Sequence, residues 1–509
     1  MVGRVVPNAP QSKAIANFSL NLKGNRTMKV TTVLATFAMA ASLNAAVIEQ
    51  VIVRQQWPWS TDVKVEYKLS GVTSPVDISV KAFNGNVELD SSRLAASMTG
   101  DRFGIAEDGV GTIIIDPVKA FGTSKVALAN FKVKLSVSES AANIDEVLYK
   151  IYDLENGGYE DVTRAQLLNG EFGAVETDFA KVGPGFSTSL DDVIVWTGVT
   201  NKEEYATTKL VMRKVCAKGK TFKMGSPEGE VGKLDADGVD MTSGRETQHD
   251  VTFTNDFWIG VFEITQKQWA LINNNWPSKF SLAEFRDSRP VDTVSYDDIR
   301  GASGGAGGTW PTNCTHEVGA GFLDALRKKI EGNPKFDLPT EAQWEFACRA
   351  GTASSLNSGK NVLYATSTHK STEVAELGRF KFNGGYFNGG DTYPDAAVFH
   401  TVGLTNGTAR VGSYLPNAYG LYDMHGNTWE WCLDWYGAYP ADAVVEPFGP
   451  AREDAWLSKP AENKYNARVL RGGGITSMAG DCRSAMRNHD TWSQRSWLWG
   501  FRVCLTVND

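Results

Sequence analysis

The sequence changes its pattern near Leu210, and this change indicates at least two domains of different kinds. Upstream of it, short runs alternate apolar and polar residues, at 63–69 (VKVEYKL), 76–83 (VDISVKAF), 111–118 (GTIIIDPV) and 126–137 (VALANFKVKLSV). A period of two is typical of strands with one buried face, and turn-forming stretches such as FNGN separate the runs. We therefore predict an immunoglobulin-like, all-β sandwich over residues 47–138. We interpret Trp57 and Trp59 as core or edge anchors of this sandwich, and the alternative is that they form a platform for a ligand.

The first 46 residues have the pattern of an upstream extension followed by a signal peptide. Met28 and Lys29 begin a positive region, residues 30–43 form a short apolar run, and residues 44–46 supply small side chains for cleavage. This pattern predicts export to the periplasm, the cell surface or the medium. The alternative is a disordered tail followed by a buried strand. Because no later stretch holds 18 consecutive apolar residues, we expect no transmembrane helix after signal cleavage.

Charge and cysteine content exclude several classes of function. The chain carries 51 Lys and Arg against 59 Asp and Glu, a formal net charge of −8, without long charged runs. Such a chain offers no basic stripe for phosphates, so nucleic acid is not an expected partner. The six cysteines include no C-x-x-C spacing, which disfavours a zinc site or a thioredoxin-like redox motif.

The remainder of the chain divides into a joint and a second domain. Residues 139–209 mix short strand-like pieces with glycine-rich joints and are predicted to form a connector or a small satellite domain. Residues 210–509 are rich in glycine and tryptophan, and a helix with one apolar stripe is predicted over residues 320–330. Two capping boxes mark further helix starts, Thr265 with Gln268 and Thr340 with Gln343. This pattern predicts a loop-rich α+β fold.

Seven motifs follow one another in this second domain. They are FKMGSPEGE (222–230), FWIGVFEITQKQW (257–269), RPVDTVSYDDI (289–299), LPTEAQWEFACRAGT (338–352), NAYGLYDMHGNTWEWCLDWY (417–436), RVLRGGG (468–474) and GFRV (500–503). Together they closely resemble the formylglycine-generating enzyme family, also called sulfatase-modifying factors. The resemblance covers residues 210–507 and implies a variant of the C-type-lectin-like fold. Because that fold hosts both oxidases and pure binding proteins, the site must decide the function.

An oxidase of this family would need a pair of cysteines, and this pair is incomplete here. The family's oxidases convert a sulfatase cysteine to formylglycine, and they carry a Cys-x-x-x-x-Cys pair whose two thiolates suit a soft Cu(I) ion. Counting forward from Gly474 places Ser477 at the first cysteine and Cys482 at the second, whereas counting back from Gly500 leaves Cys482 three residues short. Cys482 is thus the candidate catalytic residue, and copper the candidate cofactor, of an incomplete site. Whether the chain is an enzyme stays open.

The sulfoxide synthases that share the fold use a non-haem iron site with a H-x-x-x-H-x-E spacing. The six histidines here are isolated from one another, at positions 249, 316, 369, 400, 425 and 489. This reaction is therefore disfavoured.

The resemblance also implies a disulfide and a metal site. Cys348 corresponds to a family cysteine that pairs with one in the C-terminal segment, and Cys482 is the nearest partner here. A calcium ion would be held by the side chains of Asp423 and Glu430. The carbonyl oxygens of Gly426 and Thr428 would complete its ligands. The alternative for this stretch is a hydrogen-bonded turn without metal.

The C-terminal segment is predicted to form a ligand-binding surface. Its candidate residues are Ser477, Arg483, Arg487, Trp492, Trp497 and Trp499. Tryptophan supplies large contact area for little lost entropy, although the same side chains also suit the core of a loop-rich domain. The hypothesis is an exported, calcium-stabilised module that binds a protein, a peptide or a cell-surface ligand. The alternative is a formylglycine-generating or related oxidase with an altered site.

Overall fold

The fold is known from a computed structural model that describes eight stretches of the chain. These are residues 46–177, 194–233, 246–301, 318–364, 371–385, 407–450, 457–459 and 463–506, with the backbone alone at 384–385, 457–459, 463–466 and 506. Apart from residue 46, the predicted signal segment lies outside the described residues. Among the helices of the described stretches, none is both long and apolar enough to cross a membrane.

The chain folds as two compact units. The N-terminal unit comprises the described residues up to Glu146 together with Arg164–Glu171, and the C-terminal unit comprises Val147–Thr163 and the described residues from Phe172 onward. Residues 139–209, predicted to be a connector or satellite domain, are therefore divided between the two units. The strands at Val147–Asp153 and Tyr159–Thr163 belong to a sheet of the C-terminal unit.

Two antiparallel sheets make up most of the N-terminal unit. The first has the order β1-β2-β6-β5 and the second the order β4-β3-β7. The strands are β1 Val47–Gln55, β2 Val63–Ser70, β3 Val76–Asn84, β4 Val87–Glu88, β5 Met98–Gly100, β6 Gly109–Ile115 and β7 Phe131–Glu139. Three short helices accompany them, α1 Ser91–Ala96, α2 Pro117–Phe121 and α3 Arg164–Leu168.

The alternating runs of the sequence do form strands, and their apolar residues meet in one core. In β2 every second residue is buried, beginning with Val63 and Val65, and these side chains share a cluster with Ile78 and Val133 of the other sheet. Two sheets that enclose one core are the arrangement expected of a period-two sequence. The prediction is wrong for Trp57 and Trp59, which are exposed.

The C-terminal unit contains three sheets. A five-stranded sheet has the order β20-β13-β10-β8-β9, a three-stranded sheet the order β11-β12-β15, and a third sheet the order β16-β17-β14-β19 with β18 paired to β17. The strands are β8 Val147–Asp153, β9 Tyr159–Thr163, β10 Lys209–Val215, β11 Thr221–Met224, β12 His249–Thr252, β13 Phe257–Gly260, β14 Trp429–Trp435, β15 Val444–Val445, β16 Leu457–Lys459, β17 Asn463–Arg471, β18 Arg487–Thr491, β19 Trp499–Gly500 and β20 Cys504–Thr506.

The helices of this unit are short, and two of them begin at the capping boxes predicted from the sequence. They are α4 Gln266–Asn273, α5 Tyr296–Arg300, α6 Phe322–Lys329, α7 Glu341–Arg349 and α8 Thr372–Ala375. Complete capping boxes open α4 at Thr265, α5 at Ser295 and α7 at Thr340, which satisfies two otherwise unpaired N–H groups in each helix. Every residue of α7 is buried, so this helix forms the centre of the unit.

Candidate functional site

The predicted site begins at the glycine turn that follows β17. Gly472 and Gly473 both have positive φ, of 96° and 81°. A Cβ atom on Gly473 would lie 2.8 Å from the Cys482 sulfur, so the chain needs glycine there to bring the two segments together. A short 3₁₀ helix, Ala479–Cys482, carries the cysteine.

Ser477, predicted to lie at the ligand surface, instead shapes this turn. Its side chain is buried, and its Oγ accepts a hydrogen bond of 2.9 Å from the Gly474 N–H. Its carbonyl accepts a hydrogen bond of 3.2 Å from the Lys381 N–H. A hydroxyl thus stands at the position where one alignment places the first cysteine of an oxidase.

The arginines that frame the segment lie inside the protein. Arg483 donates 2.9 and 3.0 Å hydrogen bonds to the two carboxylate oxygens of Glu246 and a 2.6 Å bond to Glu230. Arg487 donates bonds of 2.6 and 2.8 Å to Glu341. The prediction that Arg483 and Arg487 line a ligand surface is therefore corrected, because both guanidinium groups are buried in two-point ion pairs.

Cys482 is enclosed among apolar side chains. Its thiol belongs to a small cluster that includes Leu377 and Phe380, and no part of the residue is exposed to solvent. Burial, and then the charge of Asp481, raise the pKa of the Cys482 thiol well above its usual range. A buried thiol is inert as a nucleophile at neutral pH. With Ser477 in place of a second thiol, the donor set does not fit copper.

The predicted disulfide is also corrected, because Cys348 and Cys482 are both free thiols. His425 contacts both cysteines. Its Nδ1 lies 2.6 Å from the Cys482 carbonyl oxygen, and its Nε2 lies 3.8 Å from the Cys348 sulfur and accepts a 3.0 Å bond from the Asn357 N–H. Burial lowers the pKa of His425 to about 4, so the ring is neutral and donates from Nδ1. Cys348 packs in the main core, apart from the cluster around Cys482.

The predicted calcium residues lie in a buried group of carboxylates. The Glu430 oxygens accept 2.6 Å bonds from Arg502 Nη2 and Nε, and a 2.8 Å bond from Trp344 Nε1. Asp423 Oδ2 accepts a 2.8 Å bond from Gly412 N–H, whereas its Oδ1 is buried without a hydrogen-bond partner in the described part of the chain. An unpaired buried carboxylate oxygen is costly and needs an explanation such as an ion.

Sequence reasoning missed a third acid in this group, Glu263. Its Oε1 accepts bonds of 2.9 Å from Thr428 N and 2.6 Å from Thr428 Oγ1, and its Oε2 accepts a 2.6 Å bond from Asn427. Burial, followed by the charges of Asp423 and Glu430, raises the pKa of Glu263 well above its usual range. Its motif, FEITQ, shows only that Glu263 precedes a helix. The hydrogen-bond partners of Glu263, Asn427 and Thr428, follow 164 and 165 residues later.

The acids outnumber the nearby cations, and this imbalance fits the predicted calcium ion. Asp423, Glu430 and Glu263 are three acids beside one guanidinium, that of Arg502, and the raised pKa of Glu263 follows from its burial and then from this crowding. No three acid, histidine or cysteine side chains converge on one metal position in the described stretches. The predicted set needs only Asp423 and Glu430, because Gly426 and Thr428 would provide carbonyl oxygens. Hard oxygen donors of this kind suit calcium, which would supply charge balance and no redox chemistry.

The three C-terminal tryptophans are partly buried and pack edge-to-face on other rings. Trp492 lies against Trp435, with ring centroids 5.8 Å apart, and Trp499 lies against Trp431 at 5.3 Å. Both also pack against the main core. Trp497 lies 5.8 Å from Phe280, a residue of the loop that follows α4. Trp497 is thus the predicted surface residue that is least integrated into the core.

The Phe280 loop presents an apolar surface that sequence reasoning missed. Trp276 is 36% exposed and Leu282 is 56% exposed. The Arg286 guanidinium lies 3.9 Å from the centroid of the Trp276 ring, and the Leu282 carbonyl accepts the Arg286 N–H at 3.0 Å. We call Trp276, Leu282, Arg286 and Trp497 the Trp276 patch. One feature of the sequence could have indicated this surface. The stretch NWPSKFSLAEF (275–285), between two of the motifs, contains apolar residues that follow no helical or strand periodicity.

Comparison with known families identifies the class of this protein. Residues 201–507 match the model of the sulfatase-modifying factor enzyme 1-like domain. The chain therefore belongs to the sulfatase-modifying factor family, as its seven motifs predicted. The match includes Arg483, Arg487, Asp423, Glu430 and the Trp276 patch.

Similar proteins within and around this family carry diverse names. The chain is 34% identical over 172 residues to the formylglycine-generating enzyme of Streptomyces coelicolor, which is 32% of this chain and 45% of that protein. It is 28% identical over 333 residues to the serine/threonine-protein kinase pkn1 of Chlamydia pneumoniae, 64% of this chain and 44% of that protein. The chain thus spans less than half the length of either. A solved structure, Treponema denticola variable protein 1, matches 58% of this chain and 95% of its own, with 22% identity and a TM-score of 0.40.

Proposed function

We propose that this chain is an exported ligand-binding member of the sulfatase-modifying factor family that does not oxidise cysteine. One observation carries the proposal: where an oxidase would need two reactive thiols, this chain has a turn-forming Ser477 and a fully buried Cys482. Its C-terminal domain would adopt the C-type-lectin-like variant of the family. Residues 28–46 support export by their signal-like pattern.

The alternative is the oxidase activity that the name of the Streptomyces relative carries. Sequence similarity to that protein favours it. Against it stands the raised pKa of Cys482, which holds the sulfur as a thiol, since only a thiolate attacks a disulfide or binds copper. Of the other described cysteines, Cys348, Cys432 and Cys504 are also fully buried, and the partly buried Cys216 follows directly after β10.

The Trp276 patch is the proposed ligand site. It joins two exposed apolar side chains to a guanidinium that is stacked on an indole, and tryptophan and arginine dominate the energetic centres of protein interfaces. The stacked Arg286 donates its Nε–H to Asp287 at 3.3 Å and retains its Nη groups for carbonyl or carboxylate oxygens of a ligand. An extended or helical peptide with an apolar anchor beside an acceptor fits this chemistry.

The binding proposal is tested with a phage-displayed library of dodecapeptides panned on the full chain. We expect enriched peptides whose affinity falls at least about tenfold in Trp276→Ala, because loss of an interface tryptophan costs more than about 1.4 kcal/mol. Fluorescence anisotropy with labelled synthetic peptides measures the affinities. Trp59→Ala in the N-terminal unit is the matched control and should bind as the parent does. Failure to enrich peptides, or equal binding by Trp276→Ala, would refute this site.

Calcium is proposed to stabilise the C-terminal unit through Asp423, Glu430 and the carbonyl oxygens of Gly426 and Thr428. Removal of calcium with EDTA is expected to lower the melting temperature by about 5–10 °C. This estimate follows because a ligand at a hundred times its dissociation constant adds about 2.7 kcal/mol, and 1 kcal/mol moves a large domain by about 2–4 °C. Differential scanning calorimetry with and without excess calcium measures the shift.

A matched pair of variants separates this site from general ionic effects. Asp423→Ala should melt at one temperature with calcium and with EDTA, since it removes the unpaired Oδ1. Asp287→Ala, which removes a partly exposed carboxylate beside Arg286, should keep the full shift. If the parent protein shows no shift and binds no calcium by titration calorimetry, the calcium site is absent.

A further inference from the structure

Two tryptophans in the N-terminal unit are exposed at the tip of the loop between β1 and β2. Trp59 is 79% exposed and Trp57 is 39% exposed. Within the described part of the chain, neither ring has an aromatic or cationic partner of the kind found for Trp431, Trp435 and Trp276. Leaving two indoles in water forgoes their burial energy, so such a pair marks a contact surface.

The loop that carries these rings is held by hydrogen bonds. The Gln55 side chain donates to the carbonyl oxygens of Thr61 at 2.5 Å and Ser124 at 3.0 Å, and accepts the Val126 N–H at 3.0 Å. Within the loop, Ser60 N–H donates to the Gln56 carbonyl at 2.9 Å. These hydrogen bonds tie the loop to the neighbouring 124–126 segment. The backbone that carries the two indoles is therefore held in place before a ligand binds.

The polar groups around the tip indicate an uncharged ligand. The nearest charged residues on the strands, Arg54 and Lys64, both pair with Glu66, at 3.1 and 2.9 Å. Among the exposed neighbours, Gln56 and Thr61 offer an amide and a hydroxyl, and the two charged residues, Asp62 and Lys125, have opposite signs. An anionic lipid surface is recognised by clusters of free cations. The strand residues beside this tip present no such cluster.

A sugar ring matches this combination. One face of a pyranose presents C–H groups that pack flat on an indole, and its rim presents hydroxyls that both donate and accept hydrogen bonds. Two indoles separated by one residue offer contact to more than one ring of a chain. We propose that the N-terminal unit binds a neutral polysaccharide through Trp57 and Trp59, independently of the peptide site proposed for the C-terminal unit.

Affinity electrophoresis of the full chain tests the proposal, in native gels that contain cellulosic β-glucan, xylan, mannan or starch. At least one polymer should retard the protein, and Trp59→Ala should weaken binding by at least tenfold. Trp57→Ala should weaken it as well. Trp276→Ala, which changes an exposed tryptophan of the other unit, should leave retardation unchanged. Because Trp59 is 79% exposed, its variant should melt at the parent temperature, which separates loss of binding from unfolding.

Three results would overturn the proposal. The first is that no polymer in the panel retards the protein. The second is that Trp59→Ala is retarded as strongly as the parent. The third is that flotation assays show Trp59-dependent binding to phosphatidylcholine vesicles, which would make the tip a membrane contact instead.

Discussion

Replacement of Arg502 by leucine should reduce the free energy of unfolding by about 3–5 kcal/mol. Arg502 is fully buried, and its guanidinium makes a two-point ion pair with Glu430. Its removal leaves three buried acids, Glu430, Asp423 and Glu263, without a neighbouring guanidinium. The loss is large because a buried charge without a partner keeps its full desolvation cost. Urea unfolding in saturating calcium, followed by tryptophan fluorescence, measures the change.

A surface ion pair of similar geometry provides the control. Arg495 also makes two bonds to one carboxylate, that of Asp298, at 2.6 and 2.5 Å, but its side chain is 55% exposed. Arg495→Leu should cost no more than about 1 kcal/mol, because water screens an exposed pair. If Arg502→Leu proves as mild as Arg495→Leu, the buried carboxylate group is not organised around this guanidinium.

The second large effect concerns pH, through Asp434 on β14. Burial, and then the charge of Glu341, raise the pKa of Asp434 to about 8, although Arg468 and Arg487 act in the opposite direction. A carboxyl group with a raised pKa binds a proton in the folded state that it releases on unfolding. Stability therefore falls as pH rises, until the pH passes the folded pKa.

Between pH 6.5 and pH 8 this group should reduce the free energy of unfolding by about 2 kcal/mol. Over this window His425, whose pKa is lowered to about 4, opposes the decline by only about 0.4 kcal/mol, because its unfolded imidazole is already half neutral at pH 6.5. Bound calcium would hold Asp423, whose pKa burial raises to about 7, in its ionised form, so saturating calcium is added. Asp434→Asn should flatten the decline, and urea unfolding across this range measures it. An equal slope in both proteins would show that Asp434 is already ionised at neutral pH.

The sequence allowed good predictions wherever local periodicity or a capping motif determines the structure. The alternating runs became strands, the boxes at Thr265 and Thr340 became helix starts, and the apolar stripe became α6. In these cases the determining residues lie within a few positions of one another. The family was identified for a similar reason, since its motifs are contiguous.

The site was harder to predict because its partners are distant in sequence. Arg483 pairs with Glu246 across 237 positions, and Arg502 pairs with Glu430 across 72. Arg483 and Arg487 were predicted to line a ligand surface, yet each pairs with a carboxylate that is distant in sequence. The disulfide prediction was wrong because it relied only on the correspondence of Cys348 to a family position. That correspondence could not show that the Cys348 sulfur contacts His425.

The central claim is that this family member binds without oxidising cysteine. The direct test incubates the purified full chain with Cu(I), oxygen and a peptide containing Cys-x-Pro-x-Arg, and searches for the aldehyde product by mass spectrometry. The Streptomyces coelicolor relative serves as the positive control, and Cys482→Ser serves as the background. We predict no aldehyde above the Cys482→Ser background. Turnover by the parent chain that disappears in Cys482→Ser would contradict the claim and make Cys482 a catalytic residue.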